Sequence, residues 1–152
     1  MKIAIGSDER THLTDAVLAD LQARGHTLQR FGPLADQSEY WPAVARHVAE
    51  AVASGAADEG ILFCWTGTGV SLAANKVPGI RAALCDDAET ARGARLWNDA
   101  NVLCLSLRRT SEIMAKEILD AWFAHSYQPN KTDDTCLAQV AEIDAKYRKA
   151  QE

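Results

Sequence analysis

Short apolar runs alternate along this sequence with segments of helical periodicity, and this alternation constrains the fold more than any other feature. The runs occupy residues 2–5, 27–31, 60–64, 80–85 and 101–107. Because strands that alternate with helices pair in parallel, the pattern predicts an α/β fold, a three-layer Rossmann-like sandwich around a five-stranded, mostly parallel sheet. The last three runs are unbroken apolar stretches, which is typical of strands that are buried on both faces.

The helical segments repeat apolar residues every three or four positions. The first follows residue 12 and ends at Gly25, and the second begins near Trp41 and ends at Gly55. The other predicted helices cover residues 70–76, 87–95, 111–123 and about 135–149.

The last predicted helix follows a polar stretch at residues 126–134 and has one apolar face. The residues on this face are Leu137, Val140, Ile143 and Tyr147. Such a stripe needs a surface to pack on. We expect a partner subunit to supply it, so the stripe predicts a C-terminal dimerisation helix.

The length and the charge of the chain restrict its classes of partner. A chain of 152 residues predicts one domain over residues 1–152. The 16 basic and 21 acidic side chains give a net charge of −5, which disfavours nucleic acids and anionic membranes as partners. A small molecule or another protein is the expected partner.

The cysteines and the N-terminal segment predict a cytoplasmic protein with reduced thiols. Cys64, Cys85 and Cys104 lie in or at the end of apolar runs, where buried free thiols are common, so we expect no disulfide framework. The apolar segment after Lys2 is too short for a signal peptide, and no apolar stretch reaches about 18 residues.

Three loops are candidates for a ligand site. Ligands of open parallel sheets bind beyond the carboxyl ends of the strands. On this basis we expect the site among residues 6–10, 64–71 and 95–101.

The loop at residues 66–71 has the composition of an anion-binding turn. Gly67 and Gly69 allow its backbone amides to face outward, where they would hold a phosphate, carboxylate or enediolate oxygen. A plain tight turn between a strand and a helix fits the pattern equally well. No Gly-Lys-Ser/Thr follows and no third glycine is present, so the loop is neither a nucleotide P-loop nor a dinucleotide fingerprint.

Several reactive side chains lie in or beside these loops. The Cys64 thiol would act there as a nucleophile or proton acceptor, and a buried apolar role is the alternative. Asp8 and Glu9 would bind ligand hydroxyls, or would cap a helix or face solvent. The histidines at positions 12, 26, 47 and 125 lack the spacing of a metal site. We therefore expect no metal.

Taken together, these motifs give the chain a specific resemblance. It resembles the ribose-5-phosphate isomerase B family, which includes the galactose-6-phosphate isomerase subunits. The resemblance extends from Met1 to Phe123, and the matching motifs lie at residues 6–8, 60–64, 66–67, 69, 71–85 and 98–103.

The resemblance implies the interconversion of an aldose and a ketose sugar or sugar phosphate through a cis-enediolate, without metal or organic cofactor. Cys64 matches the base that moves the proton, and Thr66 would assist transfer at the oxygens. Amides from Trp65 to Val70 match the anion hole. The resemblance also implies a homodimer, or a pair of dimers, with shared active sites. The expected substrate-binding residues are Asp8, Glu9, Arg10, Trp65, Gly67, Thr68, Gly69, Val70, Ser71, Trp97 and Asn98.

The chain also departs from the family pattern. Glu9 replaces a histidine, Trp65 replaces a glycine, and Trp97 replaces the histidine that opens the sugar ring. The segment at residues 132–136 aligns with an Arg-His-x-x-Arg stretch that grips phosphate, and no arginine remains there. Arg10 is a candidate replacement cation.

These departures predict an altered substrate: open-chain, unphosphorylated or unusually short. A phosphate dianion needs cationic partners, and a linear sugar needs no ring-opening acid. Trp65 and Trp97 would stack on sugar C–H faces, or would pack in a core or dimer contact. Two other hypotheses stay open. One is a catalytically silent module that binds a metabolite or a protein, and the other is a redox or thiol-transfer role for Cys64.

Overall fold

The structure is a computed structural model, and it describes residues 1–148. One five-stranded sheet forms the centre, with the spatial order β2-β1-β3-β5-β4 and parallel pairing throughout. The strands are β1 (Lys2–Ser7), β2 (Thr27–Phe31), β3 (Glu59–Cys64), β4 (Ala82–Leu84) and β5 (Val102–Ser106). The predicted α/β class and its five-stranded parallel sheet are confirmed.

Over residues 1–148, six α-helices accompany the sheet and complete the three layers. They are α1 (His12–Ala23), α2 (Trp41–Ala53), α3 (Thr68–Ala74), α4 (Ala88–Asn98), α5 (Glu112–Ala124) and α6 (Lys131–Tyr147). Ile3 and Ile5 of β1 face a core shared with α1, α4 and α5, whereas Ala4 faces a second core shared with α2 and α3. This alternation follows from the period of two along a strand.

The edge strand β4 differs from its prediction. The apolar run at residues 80–85 contributes only three residues to the sheet, and Leu84 is 38% exposed. Burial on both faces is therefore wrong for this strand. The physical reason is its position, because β4 is the last strand of the sheet over residues 1–148 and Leu84 faces a groove beside α6.

Helix α6 begins four residues before the predicted start at Thr135. The Asn130 side chain accepts a hydrogen bond from the Asp133 amide (2.9 Å), which caps the first turn inside the predicted polar stretch. The predicted end at Lys149 lies outside the described residues. Along its described length α6 has no buried residue.

A groove lies between α6 and the edge of the sheet. This edge groove has a volume of about 990 Å³ and is lined by apolar side chains of β4, α4 and α6, among them Leu84, Trp97, Leu137, Val140 and Ile143. Within the described chain the apolar stripe of α6 thus faces open space. Over the same residues, no helix is long and apolar enough to cross a membrane.

A buried ion pair joins β3 to α4 at the amino ends of the strands. The Arg95 guanidinium contacts one carboxylate oxygen of Glu59 (2.6 Å), and the Trp122 indole N–H donates to the other (2.6 Å). Arg95 also donates to the backbone oxygens of Ala100 and His125 (2.6 and 3.2 Å). Every charged group in this network therefore has a partner, as burial requires.

Candidate active site

The carboxyl ends of β1, β3 and β5 bring two of the three predicted loops together. Ser7 of β1 is in register with Phe63 of β3, and Cys64 is in register with Ser106 of β5. The segments that follow, residues 8–10 and 65–71, consequently leave the sheet side by side. Their arrangement agrees with the expected position of a ligand site in a parallel sheet.

Cys64 lies at the floor of this edge. It is the last residue of β3, is 5% exposed, and belongs to the apolar core beneath α2 and α3. Its backbone oxygen accepts a hydrogen bond from the Leu107 amide (3.0 Å), which ties the strand end to the segment after β5. Two other buried thiols, Cys85 directly after β4 and Cys104 in β5, are unsuited to acid–base chemistry, because burial raises the pKa of Cys85 to about 12 and raises that of Cys104 as well.

The loop after Cys64 turns sharply at Gly67. The Trp65 carbonyl accepts hydrogen bonds from the Ser106 hydroxyl (3.0 Å) and the Arg108 amide (3.1 Å). Gly67 then adopts φ +76°, a left-handed conformation that favours glycine. A Cβ atom there would lie 2.5 Å from Leu84 Cδ1, so both the backbone and the packing require glycine.

The amides of this loop are free to bind a ligand. Within the described residues, the backbone N–H groups of residues 66–70 donate no hydrogen bond to the protein. Five successive unpaired donors that follow Cys64 in sequence are able to bind an anion or to stabilise a developing oxyanion. Thr66 and Thr68 are exposed in this segment, and their hydroxyl oxygens are 2.7 Å apart.

Asp8 is the acidic residue closest to the strand end. Its side chain is half-buried, and among the described residues its Oδ1 atom has no hydrogen-bond partner. Burial raises the pKa of Asp8, its own backbone amide lowers it, and the nearby charge of Glu9 raises it. A buried oxygen without a partner is a candidate acceptor for a ligand hydroxyl.

Glu9 and Arg10 are exposed, and both are held by local contacts. The Ser7 hydroxyl donates to the Glu9 carbonyl (2.5 Å) and accepts from the Glu9 amide (3.2 Å). Arg10 forms an ion pair with Asp15 of α1 (2.8 Å). The candidate replacement cation is thus already paired with a carboxylate.

Trp97 and Asn98 lie elsewhere. They end α4, which runs antiparallel to the strands and leads into the start of β5. The start of β5 is in register with Gly60, four residues before Cys64, which is a distance of about 13 Å along the sheet. The expectation that all three loops share one edge is wrong within a single chain, because a segment that enters a strand lies at its amino end.

Trp97 lies in the edge groove, and residues 132–136, which align with the phosphate-gripping stretch of the family, lie at the start of α6. Both Trp97 and Asn98 line the edge groove, and the Trp97 ring packs over Gly93. Residues 132–136 form the first turns of α6, where Asp134 accepts a hydrogen bond from the Tyr127 hydroxyl (2.6 Å). This bond raises the pKa of Tyr127 to about 12.

The sequence did not predict three residues at the carboxyl edge. Ser106 and Arg108 fix the Trp65 carbonyl, and the Arg108 guanidinium lies 5.7 Å from the centre of the Trp65 ring. Trp41 packs over Gly69 in the loop. All three contacts join residues far apart in sequence, and a local pattern gives no signal for them. Over residues 1–148, no three side chains of His, Cys, Asp or Glu are grouped to hold a metal ion.

Comparison with known proteins identifies a family that this chain resembles over most of its length. The family model described as Ribose/Galactose Isomerase matches residues 3–140. Ribose-5-phosphate isomerase B of Escherichia coli is 41% identical over 84% of this chain and 86% of its own, and D-erythrulose-4-phosphate isomerase of Pectobacterium atrosepticum is 38% identical over the same shares.

A solved structure extends the match to the whole fold. The ribose-5-phosphate isomerase B of Clostridium thermocellum superposes with a TM-score of 0.91 and 42% identity, over 97% of this chain and 100% of the other. The family model and the relatives both cover far more than half of the sequence. This chain belongs to the ribose/galactose isomerase family of sugar-phosphate isomerases.

Proposed function

We propose that this protein interconverts an aldose and a ketose, with Cys64 as the base that moves the proton between C1 and C2. The observation that carries the proposal is the set of unpaired amides at residues 66–70 directly after Cys64. A thiol next to free N–H donors suits a reaction in which a carbonyl oxygen gains negative charge. The family membership supports the same reaction class.

The proposed reaction needs no external electron acceptor. The Cys64 thiolate removes the proton from the carbon next to the carbonyl, and the C–H electron pair forms the double bond of a cis-enediolate. The loop amides stabilise the oxygen that becomes negative, and Thr66 assists proton transfer between the two oxygens. Return of the proton from Cys64 to the neighbouring carbon completes the exchange, so substrate and product are isomers.

The other residues at this edge would select the substrate. The free Oδ1 atom of Asp8 would accept a hydrogen bond from a sugar hydroxyl. The Trp65 ring is 58% exposed and offers an apolar face for sugar C–H groups. Gly67, Thr68, Gly69, Val70 and Ser71 would contribute backbone and hydroxyl groups of the same loop.

We further propose that the substrate differs from a cyclic pentose phosphate. The Trp97 indole is no acid that could open a sugar ring, the carboxylate of Glu9 repels phosphate, and Arg10 is paired with Asp15. These features favour a short or open-chain sugar. A relative that carries the name D-erythrulose-4-phosphate isomerase indicates that four-carbon substrates occur in the family.

Two copies of the chain are proposed to share each site. Trp97 and Asn98 lie at the amino end of their own sheet, so they would reach a Cys64 loop only in a second molecule. The exposed stripe of α6 and the edge groove would supply the contact. We therefore propose a homodimer, or a pair of dimers, that acts on a small sugar in the cytoplasm.

A substrate panel tests the proposal. Tetroses, pentoses and hexoses, with and without phosphate, are incubated with the protein in deuterated water, and carbon-bound deuterium is measured by NMR. We expect deuterium at C1 or C2 and formation of the isomer for a short or linear substrate. Unchanged C–H bonds in every sugar that binds would instead favour the silent binding module, which the loss of the ring-opening histidine would explain.

A cysteine pair provides the control. Loss of the base in Cys64→Ala lowers kcat/KM by about 10²-fold or more, whereas Cys85→Ala, which removes a buried thiol outside the candidate site, leaves it nearly unchanged. Cys64→Ser preserves the shape of the site and checks that the loss is chemical. Full activity of a folded Cys64→Ala protein contradicts the proposed role.

A further inference from the structure

Trp41 contacts the segment that follows Cys64, at Gly69. It is the first residue of α2 and is 40% exposed, yet its ring covers the backbone of Gly69. A Cβ atom on Gly69 would lie 3.1 Å from ring atoms Cδ2 and Cε3 and 3.3 Å from Cζ3. These distances are shorter than ordinary van der Waals contacts, so the indole occupies the space of a side chain.

The two glycines of the loop are required for different reasons. Gly67 has a left-handed φ of +76°, whereas Gly69 is absent from the left-handed region and any residue could adopt its backbone conformation. The approach of the Trp41 ring is therefore what disfavours a side chain at position 69, because a Cβ atom there would force the ring to shift by a few tenths of an ångström. Leu84 and Leu105 restrain the loop at Gly67, and Trp41 restrains it two residues later.

The start of α2 is itself firmly placed. Pro42 occupies the first turn, and the Tyr40 carbonyl accepts hydrogen bonds from the Ala43 and Val44 amides (3.1 and 3.2 Å). Val44 is fully buried against Gly6 of β1. The indole is thus attached to a helix that packs on the central strand β1. The backbone that carries the ring is therefore fixed relative to the loop.

We propose that Trp41 is a positioning residue that holds the amides of residues 66–70 in the geometry needed to stabilise an oxyanion. The inference rests on the proposed function for the role of those amides. Donors that are already oriented need no reorganisation during reaction, and a displacement of about 1 Å costs about 10²-fold in rate. Trp41 acts through the loop backbone and needs no contact with the substrate.

Amide hydrogen exchange tests the inference without any substrate. Mass spectrometry follows a peptide that contains residues 65–72 in the wild type, Trp41→Ala and Trp41→Phe. Because the amides of residues 66–70 donate no hydrogen bond, the reporter is the Ser71 amide, which donates to the Gly67 carbonyl (3.3 Å). We expect about tenfold faster exchange of this amide in Trp41→Ala and near wild-type exchange in Trp41→Phe, because local opening controls the rate. The matched control is Tyr40→Ala, which removes a neighbouring aromatic ring that is 87% exposed. Equal exchange in all four proteins overturns the inference.

Kinetics and a double substitution add a second readout. On the substrate found by the panel, we expect Trp41→Ala to lower kcat about tenfold or more with little change in KM, and Trp41→Phe to restore it. Gly69→Ala is expected to lower kcat less in the Trp41→Ala protein than in the wild type. An unchanged kcat, or equal losses in both backgrounds, overturns the positioning role.

The two proposals fail separately. If no sugar is isomerised, the proposed function fails while the exchange experiment still decides whether Trp41 restrains the loop. If Cys64-dependent activity is present and Trp41→Ala leaves both exchange and kcat unchanged, the proposed function stands and the inference about Trp41 fails.

Discussion

Asp8, a single residue of the candidate site, lowers the stability of the fold when its carboxylate is ionised. Its Oδ1 atom is buried without a partner among the described residues, and burial is the largest cause of its raised pKa. The folded chain therefore holds the Asp8 proton more tightly than the unfolded chain does. Above this raised pKa the ionised carboxylate destabilises the fold, and below the unfolded value of 3.8 the effect disappears.

We expect Asp8→Asn to raise the melting temperature at pH 7, and the gain to decrease as the pH falls through the range between the unfolded and folded pKa values of Asp8. Thermal unfolding at pH 7 and near pH 3.5 measures the difference. Glu117→Gln, an exposed carboxylate on α5, serves as the control. A gain that is equal at both pH values would show that the carboxylate charge is not the cause.

Local sequence signals succeed for some residues of the site and fail for others. Asp8, Cys64 and Gly67 could be placed at one edge because each follows or ends a predicted strand. Trp41 and Arg108 could not, since their roles arise from contacts across the fold with Gly69 and Trp65. From the sequence alone, a tryptophan at the start of a helix is interpreted as an ordinary core or surface residue, because its contact with the loop is not visible.

At the scale of elements, the Glu59 network connects β3, α4 and α5. Glu59 is 7% exposed, and both of its carboxylate oxygens are occupied by Arg95 and Trp122. Removal of the carboxylate leaves the buried Arg95 charge without its counterion. Such a loss costs several times more than loss of a surface pair.

We expect Glu59→Ala to lower the free energy of unfolding by about 3–5 kcal/mol, as measured by urea denaturation. The control is Lys116→Ala, which breaks the exposed ion pair with Asp120 on α5 and costs less than about 1 kcal/mol. A Glu59→Ala cost as small as the control would mean that the network contributes no more than a surface contact.

The sheet was more predictable than its edges. The central strand β3 is buried at every position and, after Glu59 at its start, carries no charged residue, so composition alone identifies its run at residues 60–64. The run that contains β4 has the same apolar character, but its neighbours in space determine that only three residues pair. The start of α6 depends on the Asn130 cap. The apolar stripe alone gives no sign of this cap, so it predicts a start that is too late.

For the whole molecule, the exposed face of α6 predicts association. We expect the wild type to elute as a dimer and Val140→Glu to elute near the single-chain mass of 16.5 kDa, because a carboxylate would be buried in the apolar contact. Size-exclusion chromatography with light scattering measures the mass. Gln139→Glu, on the same helix but outside the edge groove, should remain a dimer. A monomeric wild type would contradict the shared site.

The distance of about 13 Å along the sheet between Cys64 and the start of β5 also has an evolutionary consequence. Substitutions at well-separated positions that share no partner contribute additively. Cys64, Thr66 and Gly67, which match the family motifs, lie at the carboxyl edge of the sheet, whereas Trp97 and residues 132–136, which depart from them, lie on the edge-groove side. Under the proposed function, substitutions on the edge-groove side would change the sugar that is bound and leave the chemistry at Cys64 intact.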